Sequence, residues 1–181
     1  MTFPRIVSRK TTILSRWVSL LEREVCFEEG APTDVYHSIS QAPYVGVFAM
    51  TAAREIPIVR QYRPAVEAYT WEFPAGTVDE GEDAATAAAR ELLEETGLRA
   101  ASLHEIGVYH PDTGRLSIAS SGYFAVCAGQ RRDEPLDVDL EVRYVDLEAL
   151  FAMVRAGEFR HQLHIALIAS ALLHGHISLP A

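Results

Sequence analysis

The chain has 181 residues, the size of one domain or of one domain with a small addition. Apolar residues make up 49% and charged residues 23%, values of a folded globular protein rather than a disordered one. Lys and Arg number 16 against 25 Asp and Glu, and the resulting net charge of −9 argues against nonspecific nucleic-acid binding. It leaves an anionic substrate open, because a divalent cation held by carboxylates reverses the local sign.

Residues 1–12 carry Arg5, Arg9 and Lys10 and no acid, and read as an arm or a first strand. Residues 13–28 are rich in Val, Leu, Trp and Phe and partly alternate, which predicts two strands or one long bent strand. A turn at Gly30–Pro32 precedes an alternating strand over 35–39, and strands are expected at 44–50 and 56–62. Residues 64–69 read as a loop leading into Thr70-Trp71-Glu72-Phe73-Pro74-Ala75-Gly76. The clearest helix is 83–96, rich in alanine, with Asp83 as N-cap and Gly97 where a left-handed cap glycine belongs. Strands follow at 103–109, 121–128 and 140–145, with an exposed acidic loop over 129–139. Helices at 147–155 and 161–174, split near Gly157, complete an α+β chain with a mixed sheet.

No stretch reaches the roughly 18 apolar residues of a membrane span. Residues 1–18 lack the uninterrupted apolar stretch of a secretory signal, so a cytoplasmic protein is expected. Cys26 and Cys127 form no CxxC pair and read as reduced core thiols, with a single disulfide as the alternative. His161, His164, His174 and His176 fit no HExxH zinc spacing and read as surface or helix-end residues; His110 lies nearer the expected site.

The chemistry is concentrated in the helix at 83–96. Glu91 and Glu95 are four apart and share one helix face, where two like charges repel unless a cation lies between them. Mg²⁺ takes oxygen ligands and is bound by one or two carboxylates together with substrate phosphates. Arg90 and Glu94 are also four apart, so Arg90 can orient Glu94 or fix the helix. Before the helix, Gly76 and Gly81 bracket a short loop, and Pro74-Ala75-Gly76 can turn the Ala75 carbonyl toward a metal. A solvated acidic face is the alternative for any such acidic run.

The spacing from Gly76 reads five residues to Glu82, seven more to Arg90-Glu91-Leu92, one to Glu94-Glu95, one to Gly97-Leu98. This is GX5EX7REUXEEXGU, where U is bulky and apolar, and all nine specified positions match. The chain thereby resembles the Nudix hydrolases. The resemblance implies an α/β/α sandwich around a mixed sheet, and hydrolysis of a nucleoside diphosphate linked to another moiety with Mg²⁺ or Mn²⁺ bound. It implies that Glu91 and Glu95 are the main metal ligands, with Glu94 and the Ala75 carbonyl close by. Glu82 would serve the outer part of the site, and Arg90 would orient a box glutamate.

Arg60-Gln61-Tyr62-Arg63 followed by Trp71–Gly76 resembles the ADP-ribose and nucleotide-sugar pyrophosphatases within that family. The resemblance implies ADP-ribose as substrate, with another nucleoside diphosphate derivative or a noncatalytic ligand sensor as alternatives. It also implies a small N-terminal strand region over 1–42, a Nudix domain over 43–181, and a homodimer. Arg60, Arg63 and Glu72 are the candidate substrate-binding residues, and a guanidinium there can hold phosphate bidentately. Strand alternation places only one of the two arginines inward, and Arg63 is favoured. Tyr62 and Trp71 stack on a base or pack in the core. One departure stands out. Many relatives place a catalytic glutamate in the segment matching 114–126, which here has no acid. The base must come from Glu94 or from the acids at 133–141, of which Asp137, Asp139 and Glu141 are nearest the next strand, or hydrolysis is weak or absent.

Overall fold

The structure, a computed structural model, describes residues 3–128 and 140–179. The expected loop at 129–139, with Asp137 and Asp139, lies outside the described residues.

Two compact units divide the chain: Met1–Ala42 with His110–Ala119, and Pro43–Tyr109 with Ser120–Ala181. In the first, β1 (Arg5–Ile13), β2 (Ser19–Cys26) and β3 (Asp34–Ser40) form an antiparallel sheet in that order. The basic segment expected as an arm or a strand is thus a strand. Backbone bonds from Ile39 N–H to the Arg115 carbonyl (2.7 Å) and from Ser117 N–H to the Ile39 carbonyl (2.8 Å) draw 110–119 into this unit. A cut at residues 42/43 does not capture that returning segment.

The second unit holds β4 (Tyr44–Thr51), β5 (Ile56–Arg63), β6 (Ala68–Glu72), β7 (Ala75–Thr77), α1 (Ala84–Thr96), β8 (Ala100–Tyr109), β9 (Ser120–Cys127), β10 (Glu141–Val145), α2 (Leu147–Ala156) and α3 (Gln162–Leu173). One sheet runs β7-β4-β9-β8 and is mixed, since β4 and β9 are parallel and its other pairs antiparallel. The other runs β10-β5-β6 and is antiparallel.

Strand β4 explains the layering. Its side chains alternate between faces, yet nearly all are buried, so both faces must be covered. Val45, Val47 and Ala49 pack with Ala87, Ala88 and Leu92 of α1. Phe48 and Met50 pack with Phe73, Phe159 and the α3 residues Leu167, Ile168 and Ala171. Helices on opposite faces of a mixed sheet give the expected α/β/α sandwich. Alanines on the inner side of α1 let that helix approach the sheet closely, which brings its glutamates beside β7.

Asp83 caps α1 by accepting the amides of Ala85 and Thr86, each at 3.0 Å, and Gly97 closes it in the left-handed region at φ 73°. Cys26 and Cys127 are both buried and unbonded to each other, and burial pushes the Cys127 thiol up to about 11, which keeps it unreactive. No helix among the described residues is long and apolar enough to cross a membrane.

Candidate active site

Three of the motif carboxylates converge on one guanidinium. Arg90 donates through Nε and Nη2 to Glu82 (3.1 and 2.9 Å), and through Nη1 to Glu91 (2.7 Å) and Glu94 (3.2 Å). A further bond from Nη2 to the Thr77 carbonyl (3.0 Å) ties the group to β7. Glu82 also accepts the Asp79 amide at 3.2 Å, which closes the turn before α1. The Arg90 bonds, set against a smaller opposing effect of burial, hold the Glu82 carboxyl below the usual carboxylate range.

Glu95 is 5% exposed and takes a different partner: its Oε2 accepts the Ala75 amide at 3.0 Å. This bond pins α1 to β7 across the motif. The segment expected as a loop from Gly76 onward therefore begins as a strand, because Ala75–Thr77 pairs with Tyr44–Gly46. Gly76 faces the Glu91 carboxylate so closely that a Cβ there would overlap it.

These residues fit a hard divalent cation. One guanidinium faces three carboxylates, so negative charge is left in excess, and all the side-chain donors are oxygens. The glycine leaves room at the Glu91 carboxylate that any side chain would fill.

A second group lies on the β5–β6 hairpin. Arg63 holds Glu72 bidentately, with Nε to Oε1 at 3.0 Å and Nη2 to Oε2 at 2.6 Å. Thr70 adds a hydroxyl bond to Oε1 at 2.5 Å. Glu72 is 1% exposed, so its carboxylate is buried against an arginine that is itself partly open to solvent. Burial acts to raise its pKa, but the bonds from Arg63 and Thr70 outweigh that and hold it below its ordinary 4.5. The ionised pair thus stabilises the fold fully above about pH 4.5 and less as pH falls through the lowered folded-state value. The expected result is a melting-temperature gap between wild type and Glu72→Gln that narrows on acidification from pH 7 to 3. A gap constant with pH would contradict the ion pair.

Arg60 is on the opposite face. The register sets it across from Trp71, while Arg63 lies across from Ala68. Its Nη1 donates to Glu141 at 3.1 Å, and its guanidinium lies 4.8 Å from the Tyr69 ring centroid. Strand alternation therefore separates the two arginines. Trp71 is buried, with Arg143 4.2 Å from its ring centroid, and Tyr62 is exposed edge-on to Tyr69 at 5.4 Å.

Tyr44, which sequence reasoning read only as the start of a strand, connects the two groups. Burial raises the pKa of its phenol most; Arg63 acts to lower it, and Glu72, Glu95 and Glu91 each raise it further. Its hydroxyl stays protonated amid both sets of charges. Nothing in the local sequence marked it.

His161 and His174 cap the two ends of α3, as expected of helix-end residues, but His164 differs from expectation. His164 is not a surface residue but fully buried, because it shares the inner face of α3 with Leu163, Leu167, Ile168 and Ala171. Its Nδ1 accepts the Phe73 amide at 3.0 Å, so the neutral ring carries its proton on Nε2. Burial, followed by His161 and Arg63, holds its pKa far below the ordinary value and keeps it neutral. One ligand atom each from Glu72, His161 and His164 lie within 4.8 Å of one another. They suit a metal poorly. Neither nitrogen of His164 has a free lone pair, and Arg63 already occupies both oxygens of Glu72.

A family model described as the NUDIX domain matches residues 40–165. The chain belongs to the Nudix family. It is 32% identical over 117 residues to an ADP-ribose pyrophosphatase of Bacillus subtilis, covering 63% of each chain. It is 33% identical over 92 residues to a CMP-5'-(N-acetyl-N-hydroxy-3-aminopropyl)phosphonate hydrolase of Streptomyces rubellomurinus, covering 50% of this chain and 45% of that one. The chain thus spans less than two thirds of the length of these curated relatives. A crystal structure of an ADP compounds hydrolase matches over 99% of this chain and 98% of that one, with a TM-score of 0.79. At 21% identity that likeness concerns the fold. In Nudix terms, Arg90, Glu91, Glu94 and Glu95 lie on the helix of the motif, Glu82 in the turn before it, and Gly76 on the strand β7.

Proposed function

We propose that this Nudix chain hydrolyses the diphosphate bond of a nucleoside diphosphate sugar, with ADP-ribose, giving AMP and ribose 5-phosphate, as the first choice. The observation that carries the reading is the gathering of Glu82, Glu91 and Glu94 on Arg90 while Glu95 is anchored to Ala75. The Bacillus subtilis relative supports the choice of ADP-ribose. The Streptomyces relative keeps other nucleotide derivatives in play as the second reading.

Glu91, Glu95, Glu94 and the Ala75 carbonyl would hold Mg²⁺ or Mn²⁺. When bound, the cation supplies charge neutralisation for the diphosphate and polarises its phosphoryl oxygens. Arg90 keeps the carboxylates in register before substrate arrives. Arg63, partly exposed and neutralised by Glu72, offers its edge to a phosphate oxygen, and the Tyr44 hydroxyl is a donor toward the same group. Glu94 is the most exposed of the three carboxylates on Arg90, which makes it the choice for general base. Glu141, bonded to Arg60 on the other face, is not. Arg60 supports that outer face in this reading. The first sheet, with β1 exposed along its whole length and lying at the edge, is the proposed homodimer surface.

The test is a panel of ADP-ribose, GDP-mannose, UDP-glucose and diadenosine compounds with Mg²⁺, following nucleoside monophosphate release. ADP-ribose is expected to give the highest kcat/KM. Preference for GDP-mannose would move the assignment to the second reading. Release from none would remove the hydrolase reading.

A further inference from the structure

The connection between α2 and α3 passes over one end of the β5–β6 hairpin. Phe159 forms a parallel β-bridge with Trp71, so Arg160 and His161 come down beside Thr70 and Glu72. Between them lies a cavity of about 610 Å³, a volume suited to a small-molecule ligand. Its walls are Arg63, Thr70, Glu72, Arg160 and His161, with Val66 on the apolar side.

The two ends of this cavity differ in chemistry. At the outer end Arg160 is exposed and has no ion pair or hydrogen bond among the described residues. It precedes the N-terminus of α3, whose N-cap His161 makes no side-chain capping bond and whose first turn carries no acid. A cation beside the positive end of a helix favours an anion. The inner end offers the Thr70 hydroxyl oxygen, whose proton is already given to Glu72, and the His161 ring, which can donate or accept. His161 Nδ1 is shielded from solvent without a hydrogen-bond partner among the described residues, and the fully buried His164 Nε2 behind it is in the same condition. The two rings stack with centroids 4.0 Å apart.

A bare phosphate would match the outer end alone, and a nucleobase would leave the cation unmatched. A phosphorylated sugar matches both ends, because its hydroxyls donate and accept while its phosphate pairs with a guanidinium. We propose that this pocket binds the sugar-phosphate half of the substrate, with Arg160 on the phosphate and His161 and Thr70 on sugar hydroxyls. Arg160 and His161 are then the residues that decide which group attached to the nucleotide is accepted. The identity of that group as half of a diphosphate rests on the hydrolase reading above; binding of the sugar phosphate itself does not.

Calorimetric titration of the full chain in EDTA tests this without turnover, using ribose 5-phosphate, inorganic phosphate and adenosine as probes. Ribose 5-phosphate is expected to bind about tenfold tighter than either comparator, and Arg160→Ala to weaken it about tenfold with an unchanged melting temperature. His161→Ala is expected to erase most of the preference over inorganic phosphate. Equal binding of ribose 5-phosphate by wild type and Arg160→Ala, or tighter binding of adenosine, would overturn the assignment. A chain that binds ribose 5-phosphate through Arg160 but hydrolyses no diphosphate supports the pocket and overturns the hydrolase reading alone.

Discussion

Glu95→Gln is expected to lower kcat/KM for ADP-ribose by about 10³-fold: with Glu95 proposed as a metal ligand, losing its charge would remove several kcal/mol of charge stabilisation at the diphosphate. The fold should survive. Glutamine keeps an oxygen that can accept the Ala75 amide, the bond that pins α1 to β7. The melting temperature separates the two effects. A variant that melts like wild type and turns over like wild type would remove Glu95 from the catalytic set. The substitution is more informative than Glu95→Ala, which would also abolish the bond to Ala75.

Gly76→Ala is the second large effect. A Cβ at this position would overlap the Glu91 carboxylate, which Arg90 holds at 2.7 Å. Glu91 must then swing away from the guanidinium and from its place opposite β7. The backbone here carries no left-handed strain, so the cost falls on the position of one carboxylate rather than on the chain path. Displacing a supporting group at a metal site costs about 10- to 100-fold, and displacing a ligand belongs at the upper end. The expected result is a fall of about 10²-fold in kcat with the far-UV circular dichroism spectrum unchanged. Wild-type turnover in Gly76→Ala would mean that Glu91 does not need the place in which Arg90 holds it.

Much of this fold was legible because the signals were local. The alternation over 35–39, the apolar run over Tyr44–Met50, and the capped alanine-rich helix ending at Gly97 each report local structure directly. The spacing from Gly76 to Leu98 brought Glu82, Arg90, Glu91, Glu94 and Glu95 into view together. What escaped was set by contacts distant in sequence. Ala75–Thr77 is too short to have a period, and it is a strand only because β4 pairs with it. Glu72 has the sequence context of a surface strand residue, and its burial depends on Arg63 reaching across the hairpin. His164 lies in a helix whose sequence is apolar all round, so its inner face could not be read from the pattern; its partner, the Phe73 amide, is 91 residues away. Arg160 and His161 gain meaning only because Phe159 docks beside Trp71. The acids Asp137 and Asp139, candidates for the base, lie outside the described residues, whereas Glu141 is engaged by Arg60.

The most direct measurement is the release of AMP from ADP-ribose by the full chain, followed by chromatography with Mg²⁺ and in parallel with excess EDTA. AMP and ribose 5-phosphate in equal amounts with Mg²⁺, and neither with EDTA, is the predicted result. AMP release undiminished by EDTA, or none from ADP-ribose or any other nucleoside diphosphate compound with Mg²⁺ present, would contradict it.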